Sequence, residues 1–215
     1  MMSNPGLLLV LSGPSGAGKG NLRPGLLEAF PDIQFCVSAT TRHPRPGEVD
    51  GTHYHFLARE DFESRVNQDQ FLEWANVYGN YYGTPREPVE RALGQGKIVL
   101  LEKDMQGAVQ LKRKFPRGVF VFVLPPSMEE LRRRLVGRGT ESPEDIQRRW
   151  ESAAKELEYL DQYDYAVVND KLEDAVARLR AIVVAERCRV SRQGDGWLAA
   201  ILGKGRFNRD DQPAS

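Results

Sequence analysis

Apolar residues in this chain gather into short unbroken runs separated by segments of helical period. Gly6-Leu-Leu-Leu-Val-Leu-Ser12 is such a run, and Lys97-Ile-Val-Leu-Leu-Glu102, Gly118-Val-Phe-Val-Phe-Val-Leu124 and Tyr163-Asp-Tyr-Ala-Val-Val168 repeat it. A continuous apolar run of this length reads as a strand buried on both faces. Between the runs, Leu22 to Phe30, Met105 to Lys114, Ser127 to Val136 and Leu172 to Glu186 carry apolar residues at helical spacing. Strands that alternate with helices predict an α/β fold, a parallel sheet with helices on both faces. Pro24 and Gly25 fall inside the first helix, and each opposes helix formation, so a kinked or irregular first turn is expected there.

Two stretches interrupt the alternation. Residues 37–96 are rich in aromatic, charged and turn residues and read as a smaller inserted unit, which leaves 1–36 and 97–190 as the core. Val136-Gly-Arg-Gly-Thr-Glu-Ser-Pro143 is a polar, glycine-punctuated loop between two helices and reads as a mobile lid over about 137–150. Residues 191–215 form a charged, glycine-bearing tail that reads as peripheral or partly disordered, with a short docked helix at Trp197-Leu-Ala-Ala-Ile-Leu202 as the alternative.

The turn after the first strand carries chemistry. Gly13, Pro14, Ser15, Gly16, Ala17, Gly18, Lys19, Gly20 and Asn21 follow the Gly-x-x-x-x-Gly-Lys pattern between an apolar strand and a helix. That geometry aims backbone N–H groups and the helix dipole at one point, an anion site, with Lys19 adding a charge for the β and γ phosphates. The hydroxyl residue that commonly follows the lysine and helps hold Mg²⁺ is absent, since Gly20 and Asn21 stand there.

Composition narrows the partners. Lys plus Arg and Asp plus Glu number 30 each, so the chain has no overall pull toward nucleic acid or a membrane. Anion recognition must come from local clusters. Cys36 and Cys188 lie far apart and read as free thiols in a reducing compartment. No apolar run approaches the ~20 residues of a membrane span. Met-Met-Ser-Asn-Pro at the start has no basic region or cleavage pattern, and the expected setting is cytoplasmic. Arg42 and Arg45 lie in a loop rich in proline and glycine, where two guanidinium forks can face one phosphate monoester. Tyr54 and Tyr82 can donate to the same phosphate, or pack in a core.

With the phosphate loop, six further segments carry a resemblance. They are Val37-Ser-Ala-Thr-Thr-Arg-His-Pro-Arg-Pro-Gly-Glu-Val-Asp-Gly51, Phe71-Leu-Glu-Trp74, Gly79-Asn-Tyr-Tyr-Gly-Thr84, Glu102-Lys-Asp-Met-Gln-Gly107, Gly137-Arg-Gly-Thr-Glu141 and Val168-Asn-Asp170. In this order they resemble the guanylate kinases, from about Gly6 to about Arg189. The resemblance implies a P-loop NTPase-type core, a GMP-binding unit at 37–96, a lid, and transfer of the γ-phosphoryl group of MgATP to GMP or dGMP. It implies that Arg42, Arg45, Tyr54 and Tyr82 bind the GMP phosphate, and that Ser38, Glu73 and Thr84 contact the guanine, with Asp104 close by. A carboxylate at Glu73 can accept from guanine N1–H and N2–H₂, a pattern adenine lacks. Lys19, Arg138 and Arg149 are the implied catalytic cations, and Arg134 and Arg148 rank below them as solvated helix positions. Asn169 matches a residue near the adenine of ATP. No direct protein ligand to Mg²⁺ is assured, and Glu102 and Asn21 are candidates acting through water.

Lys103 departs from the family, where an apolar residue is more usual. Strand alternation turns it away from its neighbours, toward where the strand would reach solvent. Two other readings share the scaffold: a kinase of a phosphorylated sugar, and a non-catalytic module that binds GMP or phosphoproteins. The guanine-reading set argues against the first, and Lys19 with the lid arginines against the second. The sequence leaves monomer and homo-oligomer open.

Overall fold

The computed structural model describes residues 6–77, 79–136 and 143–193, apart from the side chains of 143–146, 148 and 149. The glycine-punctuated loop expected as a lid lies outside the described residues, as do Trp197 to Leu202 and the rest of the tail beyond 193.

Strand β1 (Leu7–Ser12) is buried along its whole length, as its apolar run requires. It lies between two other buried runs, β7 (Ile98–Glu102) and β8 (Val119–Leu124), and pairs with both in parallel. A short β2 (Ile33–Phe35) and β9 (Tyr165–Val168) complete a five-stranded parallel sheet in the order β2-β7-β1-β8-β9. The four strands expected from the sequence are present, but β9 lies at the sheet edge with only Val167 fully buried rather than buried on both faces, and β2 is an addition. Three half-buried residues at a sheet edge give no apolar run to read.

Alternation along β1 divides the core into two layers. Leu7, Leu9 and Leu11 meet Leu22 and Leu26 of α1 (Lys19–Ala29) and Leu179 and Val183 of α7 (Leu172–Cys188). Leu8 and Val10 meet Val89 and Ala92 of α3 (Arg86–Gly94) and Ala108 and Leu111 of α4 (Met105–Lys114). Each buried leucine contributes roughly 1.5–3 kcal/mol, so both faces of the sheet are covered by helices for the same reason. Helix α1 runs through Pro24 and starts at Lys19, ahead of the expected Leu22. It opens with a 3₁₀ bond from Asn21 N to Gly18 O (3.1 Å).

A second sheet lies between residues 39 and 85, in the order β4-β3-β6-β5. Its strands are β3 (Ala39–Thr40), β4 (His55–Phe56), β5 (Phe71–Val77) and β6 (Asn80–Pro85), with α2 (Arg59–Asn67) packed on it through Phe62 against Phe71. The register between β5 and β6 shifts between Phe71 and Glu73. Such an irregularity re-aims side chains, and here Leu72 joins the first sheet's core while Phe71 stays with α2. Helices α5 (Met128–Val136) and α6 (Pro143–Leu157) pack through Leu131, Leu135 and Ala153. No described helix is long and apolar enough to cross a membrane.

Candidate active site

The phosphate loop leaves β1 at Ser12 and enters α1 at Lys19. Gly18 precedes the helix with φ 87°, a left-handed conformation that glycine adopts without strain. A Cβ there would lie 2.4 Å from Asn169 Nδ2. Asn169, at the end of β9, is buried and donates to Ala17 O (2.8 Å), so it acts as a strut under the loop. Lys19 Nζ hydrogen-bonds the loop carbonyls of Gly13 and Pro14, the latter at 3.2 Å. A cleft of about 670 Å³ opens over the loop, of the size a nucleotide requires. Ser15, Lys19, Asn21, Glu102 and Arg134 are among its walls.

Arg134 is more than the solvated helix position expected. It is half-buried, pairs with Glu130 Oε1 (2.7 Å) and donates to Asn169 O (3.2 Å), which links α5 to the loop's strut. Hydrogen bonds from Arg133 and Arg134 hold the Glu130 carboxyl down at about 2. Arg138 and the side chains of Arg148 and Arg149 lie outside the described residues.

Three consecutive residues at the end of β7 serve three places. Glu102 faces the loop, its Oε2 lying 3.8 Å from where a Cβ on Gly20 would sit. Its Oε1 is buried without a hydrogen-bond partner among the described residues. Burial pushes this carboxyl up, and the charges of Arg23, Lys19 and Lys103 pull against that. Asp104 caps α4, accepting from Gly107 N (2.8 Å), and is exposed. Lys103 overturns the expectation that it reaches solvent. It is 7% exposed and turns toward the second sheet, donating to Ser38 Oγ (2.7 Å) and pairing with Glu73 Oε1 (2.9 Å). Sequence reasoning missed this contact because its partners lie 65 and 30 residues away.

Glu73 is 3% exposed. The register sets Thr84 directly opposite it across β5 and β6, and Thr84 donates its hydroxyl to Glu73 Oε1 (2.5 Å). Glu73 Oε1 therefore carries one hydrogen bond and one ion pair, and Oε2 carries neither among the described residues. The structure thus brings Ser38, Glu73 and Thr84 to one place and adds Lys103 to them.

Arg42, Tyr54 and Tyr82 also come together. Arg42 lies 5.6 Å over the Tyr54 ring, and the two tyrosine rings meet edge to face at 5.9 Å. Burial pushes the Tyr54 phenol up, which keeps it a donor. Glu48, which sequence reasoning did not single out, organises this corner. One oxygen accepts from Arg42 (2.9 Å) and the other from the backbone N–H of Arg45 (2.7 Å). Arg42 in turn holds the Glu48 carboxyl below its ordinary range. The Arg45 side chain is exposed, and among the described residues Arg45 is tied to the cluster through its backbone.

Comparison with known proteins assigns a family. A family model described as Guanylate kinase matches residues 6–186. A protein named Guanylate kinase from Desulfitobacterium hafniense (strain Y51) is 58% identical over 193 residues, covering 90% of this chain and 96% of its own. Another of that name from Clostridium perfringens (strain SM101 / Type A) is 57% identical over 196 residues, 91% of each chain. Among solved structures, the crystal structure of guanylate kinase from Anaplasma phagocytophilum superimposes with a TM-score of 0.78 at 35% identity, covering 94% of this chain and 95% of that one.

Proposed function

The chain belongs to the guanylate kinase family, and from that premise we propose that it transfers the γ-phosphoryl group of ATP to GMP or dGMP, giving ADP and the diphosphate. One observation carries the reading. A phosphate loop with its cleft and a buried carboxylate with one open oxygen flank the same strand end, Glu102 to Asp104. The first suits a nucleoside triphosphate, the second a purine that presents an N1–H donor, which adenine lacks.

In this reading residues 37–96 are the GMP-binding unit and 1–36 with 97–190 the core. Arg42, Arg45, Tyr54 and Tyr82 hold the GMP phosphate, and Glu73 with Ser38 and Thr84 reads the guanine. Thr84 gives its one proton to Glu73, so in this arrangement it faces a ligand only as an acceptor. The loop 13–21 holds the ATP phosphates, with Asn169 beneath it. A GMP phosphate oxygen attacks the γ-phosphorus, the bond from that phosphorus to the β-bridging oxygen breaks, and ADP leaves. The acceptor is already anionic, so no general base is needed. Lys19, Arg138 and Arg149 neutralise charge on the transferring group, which is most of what phosphoryl transfer asks of a protein.

The residues present fit a magnesium ion carried by ATP. Among the described residues Glu102 Oε1 has no hydrogen-bond partner, Glu102 Oε2 faces the loop, and Asn21 lines the same cleft, which supports Glu102 and Asn21 as the residues that would hold the ion's waters. When bound, the ion shields the phosphate charges. The setting proposed is the cytoplasm, with Cys36 and Cys188 as free thiols.

The test is ADP release from MgATP with GMP or AMP as acceptor. Rapid turnover with GMP and almost none with AMP is expected. Equal turnover with both would remove the role given to Glu73, and none with either would remove the kinase reading.

A further inference from the structure

A lysine as buried as Lys103 is costly unless its ammonium is paired. A buried ion pair in turn contributes little beyond what apolar residues of the same shape would, because desolvation of two charges offsets their attraction. The pair Lys103–Glu73 therefore calls for a reason other than stability. Its geometry supplies one. Lys103 and Thr84 both engage Oε1 of Glu73, which fixes the carboxylate by one oxygen and leaves Oε2 for a ligand. The same ammonium donates to Ser38 Oγ, so the Ser38 hydroxyl is an acceptor on that side and keeps its own proton to donate elsewhere.

We infer that Lys103 is a positioning residue for base recognition, setting Glu73 as an acceptor and Ser38 as a donor. The inference rests on the reading of Glu73 as the carboxylate that meets guanine. An acceptor beside a donor complements a 6-keto purine, which presents N1–H next to O6. A 6-amino purine presents the reverse and meets two mismatches. Lys103 reaches across from the first sheet to do this, and it ties the strand that bounds the phosphate cleft to the base-reading residues of the second sheet.

The experiment compares the full chain with Lys103→Met, Lys103→Arg and Glu73→Gln, with MgATP saturating and GMP or AMP varied. Lys103→Met is expected to raise the GMP KM by about 10- to 100-fold, the loss of a charged hydrogen-bond partner, while kcat at saturating GMP stays within about threefold. Lys103→Arg restores part of the lost affinity. Thermal unfolding checks that each variant folds, and Lys103→Gln takes the place of a Met variant that does not. A GMP KM left unchanged by Lys103→Met, with Glu73→Gln raised, overturns the inference and leaves the base reading standing. A GMP KM left unchanged by Glu73→Gln removes the base reading and the inference with it. Equal losses in kcat and kcat/KM without rescue by Arg mark Lys103 as a packing residue and also overturn the inference.

Discussion

The phosphate loop and the proposed base pocket lie on either side of the same strand end and are built on opposite plans. The loop is one continuous segment, residues 13–21, and its anion site is made of backbone groups set by glycines and a helix start. The proposed base pocket has almost no local sequence. Ser38, Glu73, Thr84 and Lys103 come from four places, and side chains do all the work. A backbone site depends on chain conformation and tolerates changes of side chain. A side-chain site depends on partners and on the space between them.

A single methyl group added to each site tests that contrast most strongly. Gly18→Ala forces a left-handed residue and sets Cβ 2.4 Å from Asn169 Nδ2, so it strains the loop and displaces its strut. Gly107→Ala sets Cβ 2.8 Å from Glu73 Oε2, the oxygen left open, without a positive φ. We expect Gly18→Ala to raise the ATP KM by about 10- to 100-fold with little change for GMP, from roughly 1–3 kcal/mol of strain. Gly107→Ala is expected to raise the GMP KM by about tenfold with little change for ATP, as the loss of roughly one charged hydrogen bond. Steady-state kinetics with each substrate varied in turn checks both. If either variant weakens both substrates equally, the two sites are not separable in the way their construction suggests.

The same difference governs what could be read from the chain alone. The parallel sheet was legible because β1, β7, β8 and β9 are apolar runs, and β2 was not because three edge residues make no pattern. The phosphate loop was legible because its spacing and its strand–helix context are local. Glu73 entered only through resemblance, since an isolated carboxylate carries no signal of burial. Lys103 was misplaced for a related reason. Strand alternation gives the side a residue faces and says nothing of what another sheet brings to that side. Glu48 and Arg134 were missed or ranked low because a charge in a loop or on a helix reads as solvated until its partner is known.

Low pH separates the sites from the scaffold beneath them. Glu186, on α7, is 3% exposed, and burial pushes its carboxyl up. Hydrogen bonds from Tyr165, Arg189 and Arg192 outweigh that and hold it at about 2. Because the folded value is lowered, the stability Glu186 provides is present above its ordinary value of 4.5 and is lost as pH falls toward about 2. Glu186→Gln should therefore cost about 1–3 kcal/mol at pH 7, several degrees in Tm, with KM for both substrates unchanged. The gap to wild type should narrow as unfolding is followed below pH 4.5. A gap that stays constant with pH would mean the carboxylate's charge is not what matters there.

The smallest effect is expected where the loop departs most visibly from its pattern. Asn21 occupies the place where a hydroxyl commonly helps hold Mg²⁺, and it lines the phosphate cleft with Glu102. The loop's anion site is made by backbone N–H groups, which the identity of residue 21 leaves in place. Mg²⁺ binds mainly through phosphate oxygens and retained waters, and in the proposed reading Glu102, whose Oε2 faces the loop and whose Oε1 has no partner among the described residues, would serve one of those waters. Restoring a hydroxyl therefore adds one contact to a site that already has its charge and its backbone. Asn21→Thr should change kcat by no more than about threefold and shift the Mg²⁺ midpoint modestly toward lower concentration, on the order of one neutral hydrogen bond. A titration of MgCl₂ at fixed ATP and GMP measures both. A gain of tenfold or more, roughly 1.4 kcal/mol, would mean that the backbone cradle is not sufficient and that this loop, like the base pocket, depends on a side chain for its chemistry.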